Sequence, residues 1–196
     1  MTGIVLSGGE SRRMGTNKAV LRLAGLPLIE HVLHALRQVA NRIIIVTNDP
    51  ELYAGYDALV VEDAIDCRGP LTGIYSGLMH SSEEYNFVAA CDMPFLNPKL
   101  IAYLSGLSSG YDIVVPSVGG QVEPLHAIYS KGLIPVIQQH LQNNKRRVQG
   151  IFSEARVRYV TAEEIDRFDP EQRSFMNLNT PEEYKEAACS DSECRN

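Results

Sequence analysis

"RIIIVT", residues 42–47, is an unbroken β-branched run with no polar alternation. Such a run fits a strand buried on both faces, which is how strands of parallel sheets read. Just upstream, "PLIEHVLHALRQVA" (27–40) places Leu28, Ile29, Val32, Leu33, Leu36 and Val39 on one helical face, the spacing of an amphipathic helix. Before that helix comes "GIVLS" (3–7), a short apolar strand. Downstream, "ALVVED" (58–63) reads as a strand ending in acids, and "GPLTGIYSGLMHS" (69–81) as a helix entered through Gly69 and Pro70, proline being tolerated in a first turn. "YNFVAACDMP" (85–94) is a further strand ending in an acid, followed by a helix in "PKLIAYLSGL" (98–107) and a strand in "YDIVVPSV" (111–118).

Strand and helix thus alternate about every 20 to 30 residues, the signature of βαβ units. The expectation is an α/β fold: a three-layer α/β/α sandwich around a mostly parallel, Rossmann-like sheet. Beyond residue 118 the alternation loosens into a strand-like "LHAIYS" (125–130), a helix "LIPVIQQHLQ" (133–142), a basic loop "NNKRRVQG" (143–150) and a strand "RVRYV" (156–160). In the closing "FMNLNTPEEYKEA" (175–187), Thr180, Pro181 and Glu183 fit a capped helix start. With no repeat, linker or low-complexity stretch, residues 1–188 are expected to form one domain and residues 189–196 a disordered polar tail.

A formal charge of −6 argues against a general nucleic-acid binder. No apolar run approaches the roughly 18 residues that span a bilayer, and "MTGIVLSGGE" lacks the basic start of a signal peptide. The four cysteines, Cys67, Cys91, Cys189 and Cys194, are too scattered for a disulfide scaffold. A cytoplasmic setting is expected, with neither nucleic acid nor membrane as partner.

Against that acidic background, "VLSGGESRRMGTNKA" (5–19) is a local cationic feature. It is not a P-loop, because Thr16 and Asn17 separate Gly15 from Lys18 and Ala19 stands where a hydroxyl is needed. The dinucleotide fingerprint G-x-G-x-x-G is absent as well. Gly8 and Gly9 still let the backbone turn its N–H groups toward phosphate oxygens, while Arg12, Arg13 and Lys18 add charge. Open α/β sheets bind ligands at the carboxyl ends of their strands. Asp63 and Asp92 end two predicted strands at that same edge, and a carboxylate facing bound phosphates suits Mg²⁺. A solvated charged loop and ordinary turn-forming aspartates are the plainer readings of each feature alone; their convergence favours a metal–phosphate site.

The stretch "LSGGESRRMGTNK" (6–18) resembles the LxGGxSxRMGxxK signature of nucleotidyltransferases with a Rossmann-like fold. "EDAIDCRGPLTGIYSGL" (62–78), "CDMPFL" (91–96), "EPLHAIY" (123–129) and "FMNLNTPEEY" (175–184) narrow the resemblance to the MobA-type molybdenum cofactor guanylyltransferases. That resemblance implies transfer of GMP from GTP to molybdenum-molybdopterin with release of pyrophosphate. It implies nucleotide contacts at Leu6, Ser7, Gly8, Gly9, Lys18, Asn48, Asp63 and Asp92, with Mg²⁺ on Asp92. Ser7 stands where relatives commonly carry alanine, and the "TNDPE" loop around Asn48 differs in length. Arg13, Lys18 and Asp92 are the expected catalytic set. Arg146 and Arg147 in the basic loop, with Asn177 and Asn179 in "NLN", are candidates for the pterin side. A molybdenum insertion enzyme and molybdoenzyme chaperones are the implied protein partners. The alternatives are another nucleotidyltransferase, cytidylyl- or sugar-specific, and a non-catalytic nucleotide-binding adaptor. Among the histidines only His126 follows a candidate substrate loop, where substrate contact and a plain core role both stay open.

Overall fold

The computed structural model describes residues 1–8, 21–178 and 183. Its centre is an eight-stranded sheet. β1 (Thr2–Ser7) lies between β4 (Arg42–Thr47) and β6 (Tyr85–Ala90), parallel to both, and β5 (Leu59–Val61) flanks β4 in parallel. β9 (His126–Ser130) runs antiparallel to both β6 and β7 (Ile113–Val118), so β7 again points the same way as β1; β10 (Val157–Val160) closes that end, parallel to β7. The order across the sheet is β10-β7-β9-β6-β1-β4-β5, with the short β8 (Gln121–Val122) paired to β7.

Side chains alternate through the strands into two cores, as the period of two requires. On one face Val5, Ile43, Ile45 and Phe87 pack against α1 (Leu28–Leu36), α3 (Pro98–Gly106) and α5 (Ala162–Asp166). On the other, Ile4, Ile44, Val46 and Val88 meet α2 (Pro70–His80) and α4 (Ile134–Gln142). This is the expected three-layer α/β/α sandwich. The approach of α2 to β1 depends on missing side chains. A Cβ on Gly77 would lie 2.5 Å from Ile4 Cγ2, and one on Gly73 would lie 3.0 Å from Leu6 Cδ2.

Several boundaries differ from the sequence reading. α1 ends at Leu36, and Val39 packs on the core from the following turn. β5 stops at Val61, so Asp63 lies two residues beyond the strand. A small antiparallel hairpin of β2 (Arg22–Leu23) and β3 (Leu26–Pro27), turned by Ala24 and Gly25 with positive φ, precedes α1 and has too short a pattern to be read beforehand. Thr180 and Pro181 lie outside the described residues.

Candidate functional site

Six of the seven main strands end on one rim. Along it, in spatial order, stand Asp92 after β6, Gly8 after β1, Asn48 after β4 and Asp63 after β5. Three interstrand spacings of about 4.8 Å separate the columns of Asp92 and Asp63, roughly 14 Å. The two carboxylates are therefore not partners at one point; their columns flank that of Gly8 from either side.

Each is held by its surroundings. Thr47 Oγ1 accepts the Asp49 N–H at 3.1 Å and shapes the turn that carries Asn48. The Asn48 amide donates to Asp63 Oδ2 at 3.1 Å. Burial raises the Asp63 pKa above its ordinary value, and the Asn48 donor pulls against that rise. The loop after Asp63 is tied to α2, because Ala64 N–H donates to Ser76 Oγ at 2.9 Å while that hydroxyl donates to Thr72 O at 2.8 Å. On the other side, Cys91 N–H donates to Leu6 O at 3.1 Å, extending the β1–β6 pairing by one bond and delivering Asp92, half-buried, at the rim. Leu178 N–H donates to Asp92 O at 3.0 Å, which brings Asn177 to the same place.

Ser7 is buried and its hydroxyl is hydrogen-bonded to the Tyr53 hydroxyl. Desolvation pushes the Tyr53 pKa up to about 12, which keeps the phenol neutral. The Ser7 side chain is thus committed to the core, so only its backbone is left for the nucleotide contact that the sequence leads us to expect. Leu6 is half-buried over Gly73. Gly69, with φ +146°, opens α2 at the rim, and the Arg146 Cβ lies 3.9 Å from where a Gly69 side chain would begin. That places the basic loop beside the α2 N-terminus, with Arg146 and Arg147 both exposed. Gly9, Arg12, Arg13, Lys18 and Asn179 lie outside the described residues.

His126 is fully buried between the rings of Phe87 and Phe175, each 4.9 Å away edge-on. It is a core residue in this structure. A cavity of about 500 Å³ lined by Thr2, Arg42, Leu59 and Ser81 opens at the opposite, amino edge of the sheet and is remote from the rim. Among the described residues no three His, Cys, Asp or Glu side chains gather as a metal cage. Mg²⁺ does not need one, since one or two carboxylates plus substrate phosphates suffice, and the hard oxygens of Asp92 fit that ion.

Residues 3–158 match the MobA-like NTP transferase domain. The chain belongs to that family. As a MobA-like transferase it is 39% identical over 189 residues to the molybdenum cofactor guanylyltransferase of Desulfosudis oleivorans, with 95% of this chain and 94% of that protein covered. The probable molybdenum cofactor guanylyltransferase of Natranaerobius thermophilus is 37% identical over 95% of this chain and 94% of its own. Among solved structures, molybdopterin-guanine dinucleotide biosynthesis protein A from Archaeoglobus fulgidus superposes with a TM-score of 0.86 at 31% identity, covering 98% of this chain and 100% of that one. The protein is a nucleotidyltransferase with the expected Rossmann-like fold, and no helix among its described residues is long and apolar enough to cross a membrane.

Three residues that shape the candidate rim escaped the sequence reading. Tyr53 and Ser76 act through hydroxyl contacts across 46 and 12 residues of chain, and sequence spacing carries no signal for the first. Leu178 was legible only as an apolar residue between two asparagines.

Proposed function

We propose that this protein transfers GMP from GTP to molybdenum-molybdopterin and releases pyrophosphate. The observation that carries the reading is 39% identity over nearly the full length of a named guanylyltransferase; the rim, with Asp63 and Asp92 on either side of Gly8, supports it. In the reaction, an oxygen of the pterin's terminal phosphate attacks the GTP α-phosphorus in line. The new P–O bond forms as the bond from the α-phosphorus to the bridging oxygen breaks, and pyrophosphate leaves with the electron pair. The nucleophile is already anionic at neutral pH, so the residues need to position and neutralise rather than remove a proton.

In this reading the Leu6–Gly9 backbone and Lys18 bind the nucleotide phosphates, and Arg13 and Lys18 offset charge growing on the leaving group. Asn48 and Asp63 take the nucleoside end. Asp92 would hold Mg²⁺, which when bound would supply Lewis-acid polarisation of the phosphates and a template for them. Arg146, Arg147, Asn177 and Asn179 serve the acceptor. The labile product is handed on by contact, the molybdenum insertion enzyme supplying the acceptor and molybdoenzyme chaperones receiving the cofactor.

The test is a transfer assay with molybdenum-loaded molybdopterin, Mg²⁺ and each α-labelled nucleotide in turn. Label should reach the pterin from GTP and poorly from CTP. Preferential transfer from CTP would overturn the base assignment, and no transfer from any nucleotide would point to a binding protein. Asp92→Ala should lower kcat by about three orders of magnitude or more, the scale of a lost catalytic metal; near-normal turnover would remove Asp92 from its role.

A further inference from the structure

Glu123 is used by none of these steps, yet the fold takes trouble to place it. β8 and β9 run along the same flank of β7, Val122 opposite Ser117 and Ile128 opposite Val114. Between them the ribbon is interrupted by a turn: His126 N–H donates to Glu123 O at 3.0 Å, while Glu123 N–H stays on the ladder through Pro116 O at 3.0 Å. The result is a bulge, a device that re-aims side chains and is frequent beside active sites. It is braced from below, since the hydroxyl of fully buried Tyr129 donates to Pro124 O at 2.8 Å.

The bulge puts Glu123 on the carboxyl rim in the β9 column, next to the β6 column that carries Asp92 and on the side away from Asp63. The side chain is half-buried, and among the described residues its carboxylate has no hydrogen bond or ion pair. Burial alone raises its pKa. A desolvated carboxylate without donors is unfavourable until a ligand supplies them.

On the reading proposed above, both substrates end in the same pyrimidine edge, a lactam N–H beside an exocyclic amine. Guanine carries one and the pterin the other. Two parallel donors match the two oxygens of one carboxylate. The rim holds half-buried carboxylates at Asp63 and at Glu123, four columns apart, about 19 Å at 4.8 Å per strand, with Gly8 and Asp92 between them. A product joined through a pyrophosphate presents its two edges at opposite ends in the same way. The Asp63 carboxylate is already shared with the Asn48 amide; the Glu123 carboxylate is not shared among the described residues.

We infer that Glu123 is a specificity residue for the second substrate, its carboxylate accepting the N–H and amino donors of the pterin ring. The inference rests on the guanylyl-transfer reading for the identity of that substrate, and its test separates the two. With Glu123→Gln, the KM for molybdenum-molybdopterin should rise roughly 10- to 100-fold, the worth of one or two charge-assisted bonds. The KM for GTP and the preference for GTP over ITP, which lacks the amine, should stay unchanged. In a second arm, 6-hydroxymethylpterin is titrated by fluorescence against wild type and Glu123→Gln. Weaker binding by the variant supports the assignment, provided the variant's melting temperature is not lowered; equal binding, or no binding by either, together with an unchanged KM overturns it. Lost discrimination between GTP and ITP would give Glu123 to the guanine and overturn it as well. Should wild type transfer no GMP at all, the guanylyl-transfer reading fails, and the free-pterin titration alone then decides Glu123: weaker binding by the variant supports the inference, and equal binding or no binding by either protein overturns it.

Discussion

At the scale of single residues, the Asn48–Asp63 pair shows a stability cost that the proposed nucleotide contact would explain. Burial raises the Asp63 pKa, so the folded chain holds the proton more tightly than the unfolded chain does. The sign follows from linkage: stability falls as pH rises from the ordinary 3.8 through the raised folded value, and the deficit persists at neutral pH. Asn48 recovers part of it with a single donor. Asp63→Asn removes the charge while keeping the shape. Its melting temperature at pH 7 should rise by about 1 °C, and its affinity for GTP should fall roughly tenfold, the usual trade between stability and a binding group. Thermal melts beside a GTP titration check both halves. A variant that melts higher but binds GTP as before would remove Asp63 from the nucleotide site.

At the scale of elements, the loop bearing Asp92 is held by the segment 168–178, which crosses beneath it. The Asp169 carboxylate accepts the N–H groups of Arg173 and Ser174 at 3.1 and 2.8 Å, forming the turn that leads into the crossing. Buried Ser174 then accepts the Asn97 N–H at 3.1 Å and donates to Phe95 O at 3.3 Å. The Asn97 amide donates to Phe168 O at 2.8 Å, and Leu178 joins Leu23, Leu28 and Phe95 in a small core of its own. These contacts fix residues 95–97 from one side, and the Leu178–Asp92 bond fixes the candidate metal ligand's backbone from the other. Ser174→Ala strands the Asn97 N–H and should cost about 1–3 kcal/mol, a drop in Tm of several degrees at this chain length. Because the slackened loop carries Asp92, the Mg²⁺ concentration for half-maximal transfer should rise as well. A lower Tm with unaltered Mg²⁺ dependence would mean that the crossing segment supports the fold alone. From the sequence, "CDMPFL" announced a turn and an acid, but nothing in it pointed to a clasp 77 residues away.

At the scale of the whole molecule, what the sequence made legible was local periodicity. "RIIIVT" and "YNFVAA" are apolar on both faces and proved to be β4 and β6, interior strands of the sheet, while α1 and α2 began where proline and the apolar stripe placed them. The lateral order of the strands was not legible, because it depends on which faces pair at long range. Hence the sequence brought Asp63 and Asp92 to one edge but could not set β1 and β4 between them, or show β9 running backwards. The same blindness hid His126, whose place depends on three distant elements. β9 supplies it, β6 covers it with Phe87, and the crossing segment covers it with Phe175. Both ring nitrogens lack partners among the described residues, and burial lowers the ring's pKa from 6.5 to about 3, with Asp169 the opposing charge. A base buried neutral takes up its proton in the unfolded chain first. Stability from this residue is therefore complete above about pH 6.5 and is lost as pH falls from there toward about 3. The loss is focused where β9, β6 and the crossing segment meet, so acid should loosen this end of the rim along with the fold. Urea denaturation at pH 7.5, 6 and 5 gives the test. Wild type should lose stability between pH 6 and 5 with a slope approaching that of one added proton, and His126→Leu should show a shallower slope over the same interval. Parallel curves for the two proteins would place the acid sensitivity in other groups and leave His126 as packing alone.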